Sequence, residues 1–507
     1  MIVGLCFGIG LCMHIGWNNL SILQARSLDE YVFIEPLLNI YNGIKAQSLE
    51  QIFSFIFYSY GFFFFFLNFL STFLYLDQIM DPGYIISVRV LTIAIFCSNI
   101  FIFYKIIDQN KVSKIERIIL LFILFSMPAI WIFSGYIHPT FIMISMFLAS
   151  ILSMIKANKK VNKFYWFSIA LYGFALSFKF QAIIFFPFYI WIWLGLFINH
   201  TIKNTAVIRS IIKSLFLIFV IFIVLNPYVL SSQGFDAWIA SLNANLLSNE
   251  SNHGNDGRVL LIDKLNFALF NFYFGWYVLI VLIFVSVLIM LNEVIKKSFS
   301  VYGGIASFFL VYFFYLIFFV NKSWAIYFLP LSIPAIIILI NIPETLNWRT
   351  YKINKFRLTL VSSVLLINLF NNFEFNKKIF GNHFSGNSIS YDAIYRNEIK
   401  FVTLKDELQK SKELAEILKK QSGQFDILTT PYVNFPFQQL NMTYSDINII
   451  FDFNQIIGIS ETANLSKKDS ILIVNRRYEN EINEILDQVN SNLIDTTNDY
   501  LLFSLIL

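Results

Sequence analysis

The chain has 507 residues, 57% hydrophobic and 14% charged, against about 25% charge in a typical soluble domain. That is too little polar surface for a water-soluble fold of this size. The composition excludes a cytoplasmic enzyme, a nucleic-acid-binding protein and a secreted disulfide scaffold, and points to a polytopic α-helical membrane protein. The formal charge of +5 is the basic excess that membrane proteins leave in cytoplasmic loops. Cys6, Cys12 and Cys97 all lie in apolar stretches and read as small hydrophobes. Heavy use of Ile, Asn, Lys and Phe points to an AT-rich bacterial genome, and so to the inner (plasma) membrane.

Residues 1–23 are apolar but lack a basic flank and a small-residue cleavage site, and they read as a retained first span. At about 20 apolar residues per crossing, about eleven spans are expected. They fall at 2–22, 84–104, 118–135, 138–155, 164–178, 182–198, 214–230, 269–290, 301–320, 324–341 and 357–370. Residues 52–76, "IFSFIFYSYGFFFFFLNFLSTFLYL", are apolar enough to be another span. Charge bias opposes that. With 52–76 left out, the linkers 105–117, 156–163, 199–213, 292–300 and 342–357 share one face and hold 4, 4, 3, 2 and 4 Lys and Arg. The positive-inside rule makes that face cytoplasmic. The stretch 52–76 is therefore expected to be an interfacial or re-entrant hairpin, with the N-terminus inside and the C-terminal region outside.

The expected division is a transmembrane region over 1–370, with external loops 23–83 and 231–263, and an extracytoplasmic α/β domain over 371–507. In the latter, "FDILTT", "INIIFDF", "SILIVNR" and "YLLFSLIL" read as strands, and "EIKFVTLKDELQKSKELAEILKK" and "YENEINEILDQV" as helices. It carries no nucleotide-binding glycine loop.

Ionisable groups at membrane depth need a partner or a water-filled cavity, which makes them functional candidates. Asp29 and Glu30 follow the first span in "SLDEYVF". They suit either an interfacial carboxylate pair or a general base with its neighbour. Arg89 opens the second span in "SVRVLTIAIF", where it can snorkel to headgroups or grip a lipid phosphate. His138 lies in "YIHPTF" and Lys179 in "ALSFKFQ". His253, Asp256 and Arg258 lie in the glycine-containing loop "SNESNHGNDGRV", which also suits a plain polar loop. Lys322 and Tyr327 stand at the entry of a late span in "NKSWAIYFLPLSIPA". In the expected topology these groups gather at the external face. Cations and carboxylates together there suit a substrate that combines a phosphate with a hydroxylated group.

This order of features resembles the GT-C membrane glycosyltransferases, particularly the branch of the protein O-mannosyltransferases and the lipid A aminoarabinose transferase. The resemblance spans roughly residues 15–345 and rests on "LDEY", the hairpin "YGFFFFFLNFLSTFLY", Arg89, "YGFALSFK" and "IYFLPLSIPA". It implies a GT-C-like helix arrangement and transfer of a sugar from a polyprenyl-phosphate donor to a hydroxyl on a glycan, lipid or protein, at the outer face. Asp29 would be the catalytic carboxylate with Glu30 beside it. Arg89, Lys179 and Lys322 would meet the leaving phosphate, with His138, His253 and Tyr327 as further substrate contacts. Where the family often has "H-x-D", this chain has "HPT", with Thr140 in place of the acid. That departure leaves dependence on a divalent metal open; no other cofactor is implied. A lipid-linked oligosaccharide flippase would instead spread polar residues through the midplane and show paired halves, and no internal repeat is found. A polysaccharide polymerase would share the many spans and large external loop.

Overall fold

The structure is a computed structural model. It describes residues 2–14, 33–53, 60–72, 84–109, 112–198, 204–250, 259–341, 350–384, 387–389, 401–421, 425–430, 433–442, 446–450, 456, 470–489 and 491–505. Counting helices of eight residues or more, α1 (Ile2–His14), α2 (Ile34–Ala46), α3 (Phe62–Ser71), α4 (Tyr84–Gln109), α5 (Lys114–Phe125), α6 (Thr140–Ala157) and α7 (Lys163–Phe178) form the first half of the bundle. There follow α8 (Phe186–Ile198), α9 (Asn204–Leu225), α10 (Ser232–Glu250), α11 (Trp276–Lys296), α12 (Val301–Phe318), α13 (Leu329–Ile340) and α14 (Thr350–Phe384).

Among the described residues, seven helices are long and apolar enough to cross a membrane, and Ile2–His14, Phe62–Ser71 and Ala325–Ile340 are apolar but shorter. The expected span 118–135 is not one helix. It stops at Phe125 and resumes as the short turn Pro128–Ile132. Met127 is extended, with ψ of 117°, as a residue before proline prefers. The expected span 357–370 is the middle of the 35-residue α14. Within 52–76, α3 has ten residues, a rise of about 15 Å against a hydrocarbon core of about 30 Å. It is too short to cross.

Polar side-chain contacts between helix ends gather in two regions, one at each pole of the bundle. At one pole Glu116 of α5 meets Arg357 of α14, with Nε–Oε1 at 2.6 Å and Nη2–Oε2 at 3.1 Å. Ser113 caps α5 there, its hydroxyl accepting from Glu116 N while the Glu116 carboxylate accepts from Ser113 N. Arg117 pairs with Asp108. Glu293, near the end of α11, accepts from Trp191 Nε1 at 2.8 Å and Ser300 N at 2.7 Å.

Towards the opposite pole α14 is fastened by amides. Asn368, Asn372 and Asn376 recur every fourth residue, which puts them on one helix face. The Asn368 amide donates to Ser126 Oγ at 2.7 Å, and those of Asn372 and Asn376 donate to the Ser126 carbonyl at 3.1 and 2.9 Å. Ser126 ends α5, where carbonyls lose their helical partners. The asparagines supply the missing donors.

The C-terminal region follows as β1 (Asn387–Ile389), β2 (Phe401–Thr403), α15 (Leu404–Lys420), β3 (Asp426–Thr429), β4 (Ile447–Ile449), β5 (Ser470–Asn475), α16 (Glu479–Leu486), β6 (Ser491–Thr496) and β7 (Tyr500–Leu505). β1 and β2 pair with each other, and the remaining strands form one sheet in the order β4-β3-β5-β7-β6. β4, β3 and β5 run parallel; β7 is antiparallel to both β5 and β6. Leu472 and Val474 face the α16 side with Ile482. Ile471 and Ile473 face the α15 side with Leu414 and Ile417, in the same apolar cluster as Leu37 of α2 and Phe64 of α3. The sheet thus shares its core with the short helices at the second pole.

Candidate functional site

The second pole is built where α7 ends. Lys179 leaves the helix in an extended conformation, φ −155° and ψ 119°, and pairs as a single antiparallel bridge with Tyr60. Gly61 N donates to Phe178 O at 3.1 Å. A Cβ on Gly61 would stand 1.6 Å from Ser177 O, so only glycine permits this approach. Asn226, just past α9, locks the junction: its Oδ1 accepts from Phe62 N at 2.8 Å and its Nδ2 donates to Phe222 O at 3.0 Å. Three distant segments, 60–62, 177–179 and 226, are thereby held together.

Lys179 is 6% exposed, as is His138. The Lys179 ammonium donates to Thr140 Oγ1 at 3.3 Å and lies 5.2 Å from the centre of the Tyr60 ring. Thr140 directs both its backbone N–H, at 3.3 Å, and its hydroxyl, at 2.7 Å, to His138 Nδ1. On the other side of the ring, His138 Nε2 lies 3.1 Å from the Tyr60 hydroxyl and 3.5 Å from the Lys179 ammonium. The ring stacks on Tyr136, with centroids 5.5 Å apart and planes at 14°. His138 lies in the loop ahead of α6, where burial, reinforced by the Lys179 ammonium, holds its pKa well below the ordinary histidine value. Lys179, Thr140, His138 and Tyr60 thus form one connected hydrogen-bond network. Hydrogen bonds linked in such a network polarise one another.

Lys322 is 3% exposed and lies 4.6 Å from the Trp324 ring centre and 5.9 Å from that of Tyr327. Those two rings stack, 5.5 Å apart at 8°. Their backbone is fixed by tyrosines, Tyr273 Oη donating to Ala325 O and Tyr312 Oη to Tyr327 O, each at 2.6 Å. Gln181, two residues beyond Lys179, donates to Tyr312 Oη at 3.0 Å. One short polar path thus joins the Lys179 and Lys322 segments. Arg89, on α4, is among the largest fully buried side chains, and its Nη1 donates to His14 O at 3.4 Å. That contact holds α1 against α4.

Of the residues singled out from the sequence, the structure brings His138 and Lys179 into contact and places Lys322 and Tyr327 together. Asp29, Glu30 and His253 lie outside the described residues. Among the described residues no three His, Cys, Asp or Glu side chains converge as a metal site would require. Sequence reasoning missed Tyr60, Thr140 as a hydrogen-bond partner, and Asn226. The "YG" before the phenylalanine run and the lone Asn before Pro227 were the available signals.

The solved structure of ArnT from Cupriavidus metallidurans bound to undecaprenyl phosphate superposes with a TM-score of 0.55, covering 99% of this chain and 96% of that one at 10% identity. Its apo state gives a TM-score of 0.50 with the same coverage and identity. The chain has the ArnT fold. That likeness takes in both the membrane helices and the C-terminal sheet domain. No protein-family model and no curated protein matches by sequence.

Proposed function

We propose that this protein transfers a sugar from a polyprenyl-phosphate donor to a hydroxyl acceptor at the outer face of the bacterial inner membrane. The observation that carries the reading is the end-to-end fold likeness to ArnT, a lipid A aminoarabinose transferase of the GT-C class, in a structure that holds undecaprenyl phosphate. The Lys179–Thr140–His138–Tyr60 network supports it, because a buried ammonium with hydroxyls held beside it suits a departing phosphate.

In this reading the acceptor hydroxyl attacks the sugar's anomeric carbon, the bond from that carbon to the phosphate oxygen breaks, and the lipid phosphate leaves with the electron pair. Asp29 takes the hydroxyl proton, with Glu30 beside it. Lys179, Lys322 and Arg89 stabilise charge growing on the phosphate, which preorganised donors do more effectively than water. Tyr60 donates to a phosphate oxygen, and His138 acts through Tyr60 by fixing its hydroxyl. His253 and Tyr327 are further substrate contacts. The C-terminal domain over 371–507 lies outside and roofs the site, and the basic linkers lie inside.

The test is detergent-purified protein incubated with a panel of radiolabelled polyprenyl-phosphate sugars and hydroxylated acceptors. Transfer with release of the polyprenyl phosphate is expected, and Asp29→Asn is expected to lower it about 100- to 10,000-fold, the usual worth of general-base assistance, without loss of membrane insertion. A folded Asp29→Asn variant with near-normal transfer would remove Asp29 as the base. Lipid-linked sugar crossing the bilayer without any transfer would replace the enzyme with a flippase.

A further inference from the structure

At the pole where Glu116 meets Arg357, an open cleft of about 350 Å³ lies between the ends of α6, α8 and α12. Its floor is apolar and buried, made by Met154, Gly195, Leu196 and Phe299, and its mouth carries Lys159 and Val301. Gly195 lets the floor close, since a Cβ there would stand 2.6 Å from that of Phe299. Beside the cleft α8 exposes Leu194 and Ile198, and α11 exposes Val294 and Ile295, the apolar surface that a bilayer covers. Two basic linkers meet at this place. Residues 156–163 hold four lysines and no acid, and Lys296 and Lys297 end α11 two residues before Phe299.

Lys159 stands in the left-handed region, with φ of 59°, directly after Asn158 at 49°. Asparagine visits that region readily and lysine seldom does. Glycine would be the unstrained choice at 159, but lysine supplies a cation at the cleft. Among the described residues lining the cleft there is no carboxylate. Glu293 stands behind Ser300, its oxygens taken up by bonds from Trp191 and Ser300. Val301 opens α12, and that end of a helix favours an anion too. The occupant that fits is therefore an anion joined to an apolar chain, at the height of a membrane surface. We infer that the cleft holds an anionic phospholipid of the leaflet at this pole, its phosphate at Lys159 and the start of an acyl chain on the Leu196–Phe299 floor. A zwitterionic lipid would bring a second cation to a mouth that already carries one. Basic pockets between membrane helices hold anionic headgroups for the same reason. The site lies at the opposite pole from Lys179 and Lys322 and stands whether or not sugar transfer occurs.

The experiment uses the full-length protein in nanodiscs of phosphatidylcholine with increasing fractions of phosphatidylglycerol, and reads the Tm. A ligand that binds only the folded protein raises the Tm with its concentration. The wild-type Tm should therefore climb with phosphatidylglycerol and level off as the cleft fills. Lys159→Asn removes the charge with a residue that tolerates the left-handed conformation. It should need about fivefold more phosphatidylglycerol for the same rise, the worth of one lysine beside an anionic membrane surface. Lys160→Gln removes the same charge one residue away, outside the cleft lining, and should leave the dependence as it is. Equal changes in both variants would reduce the effect to general attraction between linker and membrane and overturn the inference. A wild-type Tm indifferent to phosphatidylglycerol would overturn it too. If inorganic phosphate in pure phosphatidylcholine nanodiscs reproduced the rise, the site would take a free anion and the lipid assignment would fall.

Discussion

At the pole where Glu116 meets Arg357, buried carboxylates have fixed donors: Glu116 is bonded by a guanidinium and a helix cap, and Glu293 by an indole and a serine. At the opposite pole Lys179 and Lys322, just as deeply buried, are turned to a threonine hydroxyl and to the faces of Tyr60, Trp324 and Tyr327. Burying an ion is costly at both. The first pole offsets that cost with fixed partners and contributes to the fold. At the second the ammonium groups are held beside a threonine hydroxyl, an imidazole nitrogen and aromatic faces, a setting suited to an anion. The comparison predicts that substitutions at the first pole change stability and those at the second change turnover.

The largest effect is expected from Glu116→Gln. Gln keeps the volume and can still serve the Ser113 cap, so the change isolates the loss of charge. Removing one member of a buried pair costs about 3–5 kcal/mol, and the Tm in detergent should fall sharply while transfer per folded molecule is unchanged. Burial raises the Glu116 pKa, but the bonds from Arg357 and Ser113 outweigh it and the net shift is downward. A lowered folded-state pKa means that the pair's contribution is present in full above the unfolded carboxyl value. It is lost as pH falls through the folded value. The wild-type Tm should therefore show an acid step below the ordinary carboxylate range that the Gln variant lacks. Equal acid steps in both would mean that another carboxylate governs stability.

Lys179→Met should behave in the opposite way. Methionine fills the same space without charge, so the Tm should hold or rise, whereas transfer should fall about 100- to 1,000-fold, as when a preorganised charge-stabilising donor is removed. A variant that lost stability and activity in proportion would make Lys179 a structural residue and collapse the distinction between the poles.

The sequence displayed the first-order architecture because hydropathy and charge are local signals. Seven long apolar helices follow from hydropathy, against about eleven spans expected, and the α/β character of the C-terminal region and four of its strands follow from the apolar pattern. The strand Ser491–Thr496 did not, because "SNLIDT" is a polar edge strand whose place in the sheet comes from pairing with Tyr500–Leu505. Lys179 and His138 were visible as ionisable groups in apolar runs. Tyr60 was not, being one aromatic residue among many. Its significance comes from a contact across 78 positions with His138 and from the close approach that Gly61 allows. The asparagines of α14 recur at helical spacing, but their target is the end of α5, more than two hundred residues away.

Tyr60→Phe should give the smallest effect and sharpen the comparison most. Phe keeps the ring under the Lys179 ammonium and the packing against Phe33, 5.5 Å away, and removes only the hydroxyl. A neutral hydrogen bond contributes about 0.5–1.5 kcal/mol and one to a charged group about 1.5–3 kcal/mol. If Tyr60 merely holds His138, the variant should lose a little Tm, with its turnover nearly intact. If the hydroxyl serves the departing phosphate, turnover should fall about tenfold or somewhat more with little change in Tm, because the bond is worth most as charge develops. His138→Asn should then show a loss of the same size and no further loss when combined with Tyr60→Phe, since the histidine acts through the tyrosine. Independent, additive losses would place His138 in direct contact with substrate instead.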